Sequence, residues 1–201
     1  MSLKVFASEV LANFHTVAAV APSSRHLAAA MVKPLPLSET RVAVELGAGT
    51  GMMTRALLRE LPRESSLLVF EINLHFVNYL RAHFDDPRLI LINENVERIE
   101  AELRKRGIDH VDVVLSSLGL AFMSEQQRRR IFEGLKPFLR PNTVLTQFQY
   151  VSSVQFENGR LHRLSLRPLL NHYFSSVESK IVWRNVPPAY VYTCHPQQHQ
   201  P

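Results

Sequence analysis

The chain has a single cysteine among its 201 residues and no long apolar run. Cys194 alone cannot build a disulfide framework or a cysteine-based zinc site, so we expect a reducing, cytosolic setting. No apolar stretch approaches the ~20 residues of a transmembrane helix, and the N-terminus has no secretory h-region. The sequence also lacks internal repeats and low-complexity tracts, which favours one globular domain.

The composition fits a folded domain that has an anionic partner. Hydrophobic residues make up 46% of the chain, which excludes a disordered protein. The net charge of +5 is unevenly placed, because residues 1–100 carry 10 basic and 11 acidic side chains whereas residues 101–201 carry 13 and 7. The basic second half suits either nucleic acid or an anionic membrane surface.

The most informative motif is the glycine-rich stretch V-E-L-G-A-G-T-G at 44–51. It lies between a predicted strand and a predicted amphipathic helix, so the chain must turn sharply there. Gly47, Gly49 and Gly51 permit positive φ angles and close approach of a ligand to the backbone. Their alternate spacing, directly after the acid Glu45, differs from the G-x-G-x-x-G of dinucleotide folds.

A second acid follows the next predicted strand. Glu71 ends the apolar run 67–70 and lies 20 positions after Gly51. A β-α-β unit of that length brings the second strand end beside the first loop, where a carboxylate can accept both ribose hydroxyls. The loop and the acid together predict a nucleoside-type ligand.

The pattern of helices and strands predicts an α/β fold. Helical and strand-like segments alternate, which favours a Rossmann-like, seven-stranded, mostly parallel sheet with an antiparallel last strand and helices on both faces. The predicted strands are 41–46, 67–71, 89–93, 110–116, 143–150, 178–186 and 189–195, and the predicted helices are 3–15, 23–33, 51–61, 73–84, 97–106 and 124–139. We interpret residues 1–33 as an N-terminal helical cap and 34–201 as the main domain.

A hairpin insert is expected at about 152–166. Asn158-Gly159 is a strong type I′ turn pair, and a two-residue loop would place Glu157 opposite Arg160. The insert either forms a basic lid over the site, continued by Arg167, or is a solvated hairpin.

The glycine-rich loop and the two acids resemble those of class I S-adenosylmethionine-dependent methyltransferases. This resemblance implies S-adenosylmethionine as the cofactor and no metal. The loop would wrap the methionine part, Glu71 would bind the ribose, and the segment after the third strand would face the adenine. The cofactor-binding residues that it implies are Glu45, Gly47, Ala48, Gly49, Gly51, Glu71, Ile72, Asn95 and Val96.

The fourth predicted strand ends in Ser116-Ser117 rather than in the Asn/Asp-Pro-Pro-aromatic motif of enzymes that methylate adenine or cytosine amines. The absence argues against a base-flipping adenine methyltransferase. The two serines leave room and weak hydrogen-bonding capacity for a substrate, or they are a plain strand-to-loop cap.

Three further segments resemble bacterial phospholipid N-methyltransferases: 20–25, 147–150 and 184–189. The resemblance covers about residues 6–194 and implies methylation of the ethanolamine headgroup of phosphatidylethanolamine. Within it, Tyr150 is the first candidate for positioning the headgroup and Ser116 the second. The turn after the fourth strand departs from the Gly-Leu-Pro type of that family.

The N-terminal segment fits the same resemblance in one of two ways. Apolar residues recur at helical spacing over 3–15, which predicts an amphipathic helix. In the resembled family such a helix lies on the membrane, which implies a peripheral protein on the inner membrane face; the alternative is a helix packed on its own core. The expected partners are therefore a phospholipid substrate and an anionic membrane surface.

Two other functions remain open at this stage. An RNA or small-molecule methyltransferase would keep the cofactor half and change only the acceptor, although nucleic acid is the less favoured partner. A non-catalytic accessory protein would bind cofactor or membrane without turnover. The sequence carries no signal for the oligomeric state.

Overall fold

A seven-stranded sheet forms the centre of the computed structural model, which describes residues 24–157, 160–163 and 165–196. The predicted helix at 3–15 and the Asn158-Gly159 turn lie outside the described residues. The strands are β1 Val42–Leu46, β2 Ser66–Phe70, β3 Leu89–Ile92, β4 Val111–Ser116, β5 Leu139–Tyr150, β6 Val154–Glu157, β7 Arg160–Arg163, β8 Ser176–Val182 and β9 Ala189–His195. The described helices are α1 Arg25–Val32, α2 Met52–Glu60, α3 Leu74–His83, α4 Ile99–Lys105, α5 Glu125–Leu135 and α6 Arg167–Tyr173.

The strand order is β3-β2-β1-β4-β5-β9-β8. Strands β1 to β5 pair in parallel, whereas β9 runs antiparallel to both β5 and β8. The predicted α/β sheet with an antiparallel last strand is confirmed. The carboxyl ends of the parallel central strands lie at one edge of the sheet. The strand order reverses between β1 and β4, which leaves a crevice at that edge.

Two apolar layers cover the sheet, because successive side chains of its strands point to opposite faces. On one face the strands pack against α1, α2 and α3, with Leu27, Met31 and Leu57 fully buried. On the other face they pack against α4, α5 and α6, with Leu103 and Leu135 fully buried. The predicted helices on both faces are therefore present, and α1 is part of the domain core.

Three predicted boundaries were wrong by four residues each. Helix α5 ends at Leu135 and β5 already begins at Leu139, because the short 3₁₀ turn Lys136–Phe138 contains a proline that favours a tight turn over a continuing helix. Strand β8 ends at Val182 rather than at 186, since the following segment turns and contains two prolines that cannot donate to the ladder.

The insert after β5 is an antiparallel hairpin. Glu157 pairs with Arg160, as the predicted register requires, and Gln155 pairs with His162. Arg167, which we expected to continue a basic lid, donates instead from its guanidinium to the Val177 carbonyl at 2.7 Å and thereby ties α6 to β8. Among the described residues, no helix combines the length and apolarity needed to cross a bilayer.

Candidate active site

The glycine-rich loop has the backbone that its sequence predicts. Gly47, Gly49 and Gly51 have φ angles of 79°, 53° and 78°, the left-handed region that side chains disfavour. A Cβ at Gly51 would lie 2.6 Å from the Leu80 side chain, so this glycine is needed for packing between the loop and α3. A Cβ at Gly49 would meet no protein atom within 4 Å. The loop therefore leaves open space at Gly49, where a ligand can approach the backbone.

Glu71 joins the loop to the second strand. The backbone N–H of Gly49 donates to Glu71 Oε2 at 2.8 Å, and the N–H of Asn73 donates to Oε1 at 2.9 Å. These two bonds fix the orientation of the buried carboxylate, and each oxygen keeps further lone-pair capacity. Asn93 donates from its side-chain amide to the carbonyls of Glu71 and Ile72, at 2.9 and 3.1 Å. The acid is thus preorganised to accept hydroxyl groups.

Glu45 is fully buried in β1. Within the described part of the chain neither of its carboxyl oxygens has a hydrogen bond of normal geometry, although Thr54 lies near enough to act on the group. Burial raises its pKa to about 8; the Thr54 hydroxyl lowers the pKa by a smaller amount, and the charge of Glu71 raises it further. An unpaired buried carboxyl is costly, and a nearby cation would offset that cost. The carboxyl is therefore mainly protonated at neutral pH unless a cation comes near it.

The residues predicted to face the adenine follow strands β2 and β3, and they line one cavity. Ile72 is 63% exposed, which leaves an apolar surface free for a planar ring. Val96 is buried, and Asn95 caps the short turn after β3 by accepting the N–H of Glu97 at 3.0 Å. All three line the same cavity as Glu71.

One cavity of about 500 Å³ runs along this edge of the sheet. Of the residues predicted from the sequence, it is lined by Gly47, Ala48, Gly49, Glu71, Ile72, Asn95, Val96 and Tyr150. Glu45, Gly51 and Ser116 are not among the lining residues. Sequence reasoning missed other lining residues: Met52, Met53, Asn73, Phe76, Glu94 and Glu97. Asn73 and Glu94 directly adjoin the predicted Ile72 and Asn95 in the chain, which was the available signal for these two.

The acceptor end of the cavity has an apolar wall with a few polar groups. Ser117, rather than the buried Ser116, lines it, and neither serine hydroxyl has a hydrogen-bond partner among the described residues. Ser116 faces the interior because it is the last residue of β4, whereas Ser117 begins the loop. Gln147 holds that loop by donating to the Leu118 carbonyl at 3.0 Å. Ser116 therefore has no access to the cavity, and its predicted catalytic role is left without a contact in this structure.

Tyr150 lies in the wall at the end of β5, half-buried, with its ring edge-on to Phe148 at 5.3 Å. Burial raises the pKa of its phenol above the ordinary value. The hydroxyl is therefore protonated at neutral pH, and it can orient a substrate by hydrogen bonding.

The charge of the cavity lining has one sign. Three carboxylates line it, from Glu71, Glu94 and Glu97, and none of its described lining residues is Lys, Arg or His. An ion pair with Arg130 lowers the pKa of Glu97, so this acid stays ionised. All three carboxylates lie at the cofactor end, and Glu97 and Glu94 pair with Arg130 and Arg98, so that end suits a cationic cofactor better than an anion.

Together the alternate glycines, the acid ending β2 and the crevice at the carboxyl ends of the strands define a class of protein. Residues 43–142 match the model of a methyltransferase-domain family. The chain belongs to the class I S-adenosylmethionine-dependent methyltransferases, and its cofactor is S-adenosylmethionine. Open space at Gly49 and the oriented Glu71 carboxylate, which both line the cavity, fit that sulfonium nucleoside.

Three individual proteins extend the comparison. The chain is 28% identical over 179 residues to an ornithine lipid N-methyltransferase of Singulisphaera acidiphila, covering 89% of this chain and 88% of that one. It is 32% identical over 95 residues to a ribosomal RNA small subunit methyltransferase H of Aromatoleum aromaticum, covering 47% of this chain and 30% of that protein. The fold matches that of a 1,6-didemethyltoxoflavin-N1-methyltransferase of Burkholderia thailandensis, solved with S-adenosylhomocysteine, with a TM-score of 0.69 at 18% identity, over 97% and 88% of the two chains.

Proposed function

We propose that this methyltransferase transfers methyl groups to the amine headgroup of a membrane lipid. The observation that carries the proposal is the acceptor end of the cavity, which has an apolar wall with few polar groups and no Lys, Arg or His among its described lining residues. The uncharged amine of a lipid headgroup can enter such a site, whereas a polyanionic acceptor would find no cation there to pair with. Similarity over most of both chains to an ornithine lipid N-methyltransferase supports a lipid as the carrier of that amine.

Methyl transfer to an amine requires the protein mainly to position the two reactants. Bound S-adenosylmethionine supplies an electrophilic methyl group on a sulfonium. The amine must first lose a proton; its nitrogen then bonds to the methyl carbon while the carbon–sulfur bond breaks, and the sulfur keeps the electron pair. The protein contributes mainly by holding the nitrogen in line with that bond.

Tyr150 is suited to this positioning. Tyr150 lines the cavity with its phenol protonated, and the phenol oxygen can accept an N–H of the neutral amine. The nitrogen lone pair then remains free for attack. The ammonium proton leaves to water, because the phenol, with its pKa raised, is not a base at neutral pH.

Phosphatidylethanolamine is the first substrate to test, and an ornithine lipid is the second. Each should be presented in vesicles with S-adenosylmethionine carrying a labelled methyl group. Label in extracted lipid, with a mass gain of one or more methyl groups on the headgroup, supports the proposal and identifies the headgroup. Label in added ribosomal RNA or in free small amines, with none in lipid, would instead support the alternative acceptors.

A further inference from the structure

The turn between β8 and β9 has an unusual apolar surface. Trp183 is 70% exposed and Val186 is 84% exposed, and Pro187 beside them is exposed as well. Trp183 and Val186 are the two most exposed large hydrophobic residues that the structure describes. Exposing this much of an indole ring to water is unfavourable, so a partner surface that covers the turn would be stabilising.

This turn, residues 183–188, is held firmly by its base. Asn185 is 2% exposed; its Oδ1 accepts the N–H of Ser24 at 3.1 Å, and its Nδ2 donates to the Pro187 carbonyl at 2.7 Å. The carbonyl of Pro188 accepts the N–H of Val151 at 2.8 Å. The apolar side chains are therefore presented outward on a fixed frame.

The turn lies at the edge of the sheet that carries the cavity. Val182, Ala189 and Tyr150 are paired across β8, β9 and β5, so the turn begins where β5 ends. Tyr150 lines the cavity, and the next residue, Val151, is bonded to the turn. Any surface that binds the turn is thereby brought beside the acceptor end of the cavity.

The charge around the turn is positive. Arg184 is exposed between the two apolar residues, and Lys180 on β8 and Arg25 after Ser24 are exposed too. From 179 to 196 the sequence contains no Asp or Glu. A tryptophan flanked by basic residues matches a bilayer interface, where indole rings lie at the headgroup level and cations meet lipid phosphates.

We propose that this turn inserts Trp183 and Val186 into the interface of an anionic phospholipid bilayer. Arg184 pairs there with lipid phosphates, and the cavity mouth faces the lipid surface. The purpose of this docking rests on the proposed lipid substrate, but the docking itself requires no turnover.

Trp183 is the only tryptophan of the chain, so its fluorescence reports on this turn without a label. The full-length protein would be mixed with vesicles of phosphatidylcholine alone or with added phosphatidylglycerol. We expect the anionic vesicles to shift the emission to shorter wavelengths and to protect the indole from acrylamide quenching. Co-sedimentation with unchanged emission would place the contact on another surface, and absence of co-sedimentation would exclude membrane docking; either result overturns the proposal.

A pair of variants separates docking from folding and from catalysis. Val186→Ser should lose most vesicle binding while keeping cofactor binding, whereas Tyr79→Ser, at an exposed position on α3, should keep both. On vesicles, Val186→Ser should raise KM and leave kcat unchanged, and on a water-soluble short-chain phosphatidylethanolamine it should match wild type. Insertion without methyl transfer to any lipid would retain the docking surface and reject the proposed substrate. Unchanged vesicle binding by Val186→Ser would reject the docking surface itself.

Discussion

The backbone N–H of Ser24 donates a 3.1 Å hydrogen bond to Oδ1 of Asn185, which lies 161 positions later in the chain. Ser24 also caps α1, its hydroxyl accepting the N–H of Leu27 at 3.2 Å. Two of the short segments that resemble phospholipid methyltransferases are thus bonded to each other. This hydrogen bond joins the start of α1 to the β8–β9 turn. The turn lies at the same edge of the sheet as the active site.

Breaking this link should destabilise the fold. Asn185→Ala removes two partly buried hydrogen bonds, from the Ser24 N–H and to the Pro187 carbonyl, which costs on the order of 1–3 kcal/mol. The free energy of unfolding from urea titration measures the loss. Asn171→Ala, at an exposed position on α6, is the matched control and should stay near wild type. Equal stability of the two variants would contradict a structural role for Asn185.

Glu71→Ala should weaken cofactor binding strongly. Loss of hydrogen bonds from a charged group costs about 1.5–3 kcal/mol, or about 10- to 150-fold in Kd, and the Gly49 N–H also loses its acceptor. Calorimetric titration with S-adenosylhomocysteine measures the Kd. Glu64→Ala removes an exposed carboxylate elsewhere and should bind normally. Normal affinity of the Glu71 variant would remove this acid from the ribose site.

Alanine at Gly49 and alanine at Gly51 should lower the stability of the protein by different amounts. At Gly49 the added methyl group meets no protein atom, so Gly49→Ala should fold with a loss of about 1–2 kcal/mol from its left-handed backbone and should bind the cofactor poorly. At Gly51 the methyl group also collides with Leu80 and Phe84, so Gly51→Ala should lose more stability. Thermal unfolding and cofactor titration of both variants test this order. Tight cofactor binding by Gly49→Ala would show that the ligand does not occupy the open space.

Glu45 should make stability fall with rising pH. Its folded pKa of about 8 lies above the ordinary glutamate value of 4.5, so between these values the unfolded chain holds fewer protons than the native chain. This group therefore lowers the free energy of unfolding by about 1.4 kcal/mol for each pH unit across that interval. Glu45→Gln removes the titration, and it should flatten the decline between about pH 5 and pH 8 in urea titrations of the apoprotein. The same pH dependence in both proteins would assign the decline to other groups.

Tyr150→Phe should lower kcat and leave cofactor affinity intact, because the ring still packs on Phe148 while the hydroxyl is lost. Steady-state kinetics with the lipid acceptor, alongside cofactor titration, separates the two effects. Tyr190→Phe on the neighbouring β9 is the matched control and should have a normal kcat. If turnover of the Tyr150 variant matched wild type, the phenol would have no positioning role.

The predictable part of the site is the part that depends on local sequence. The glycine spacing and the acid Glu71 were sufficient to predict the loop and the crevice, because a strand, a tight turn and a helix follow each other within one β-α-β unit. The Asn158-Gly159 pair likewise predicted the pairing of Glu157 with Arg160. In each case the residues that decide the geometry are close together in the chain.

Features that depend on distant contacts could not be predicted in this way. Whether Ser116 or Ser117 faces the cavity depends on where β4 ends, and a one-residue difference reverses the side chain. Arg167 looked available for a lid, but the Val177 carbonyl of β8 binds it. The bond between Ser24 and Asn185 has no local signal at all.

The most direct test of the account is transfer of labelled methyl groups from S-adenosylmethionine to vesicles that contain phosphatidylethanolamine or ornithine lipid together with an anionic lipid. We predict label in the lipid headgroup with the wild-type protein and loss of that label in Glu71→Ala, while Glu64→Ala retains it. A protein that binds S-adenosylmethionine yet leaves both lipids unlabelled would contradict the proposed lipid acceptor.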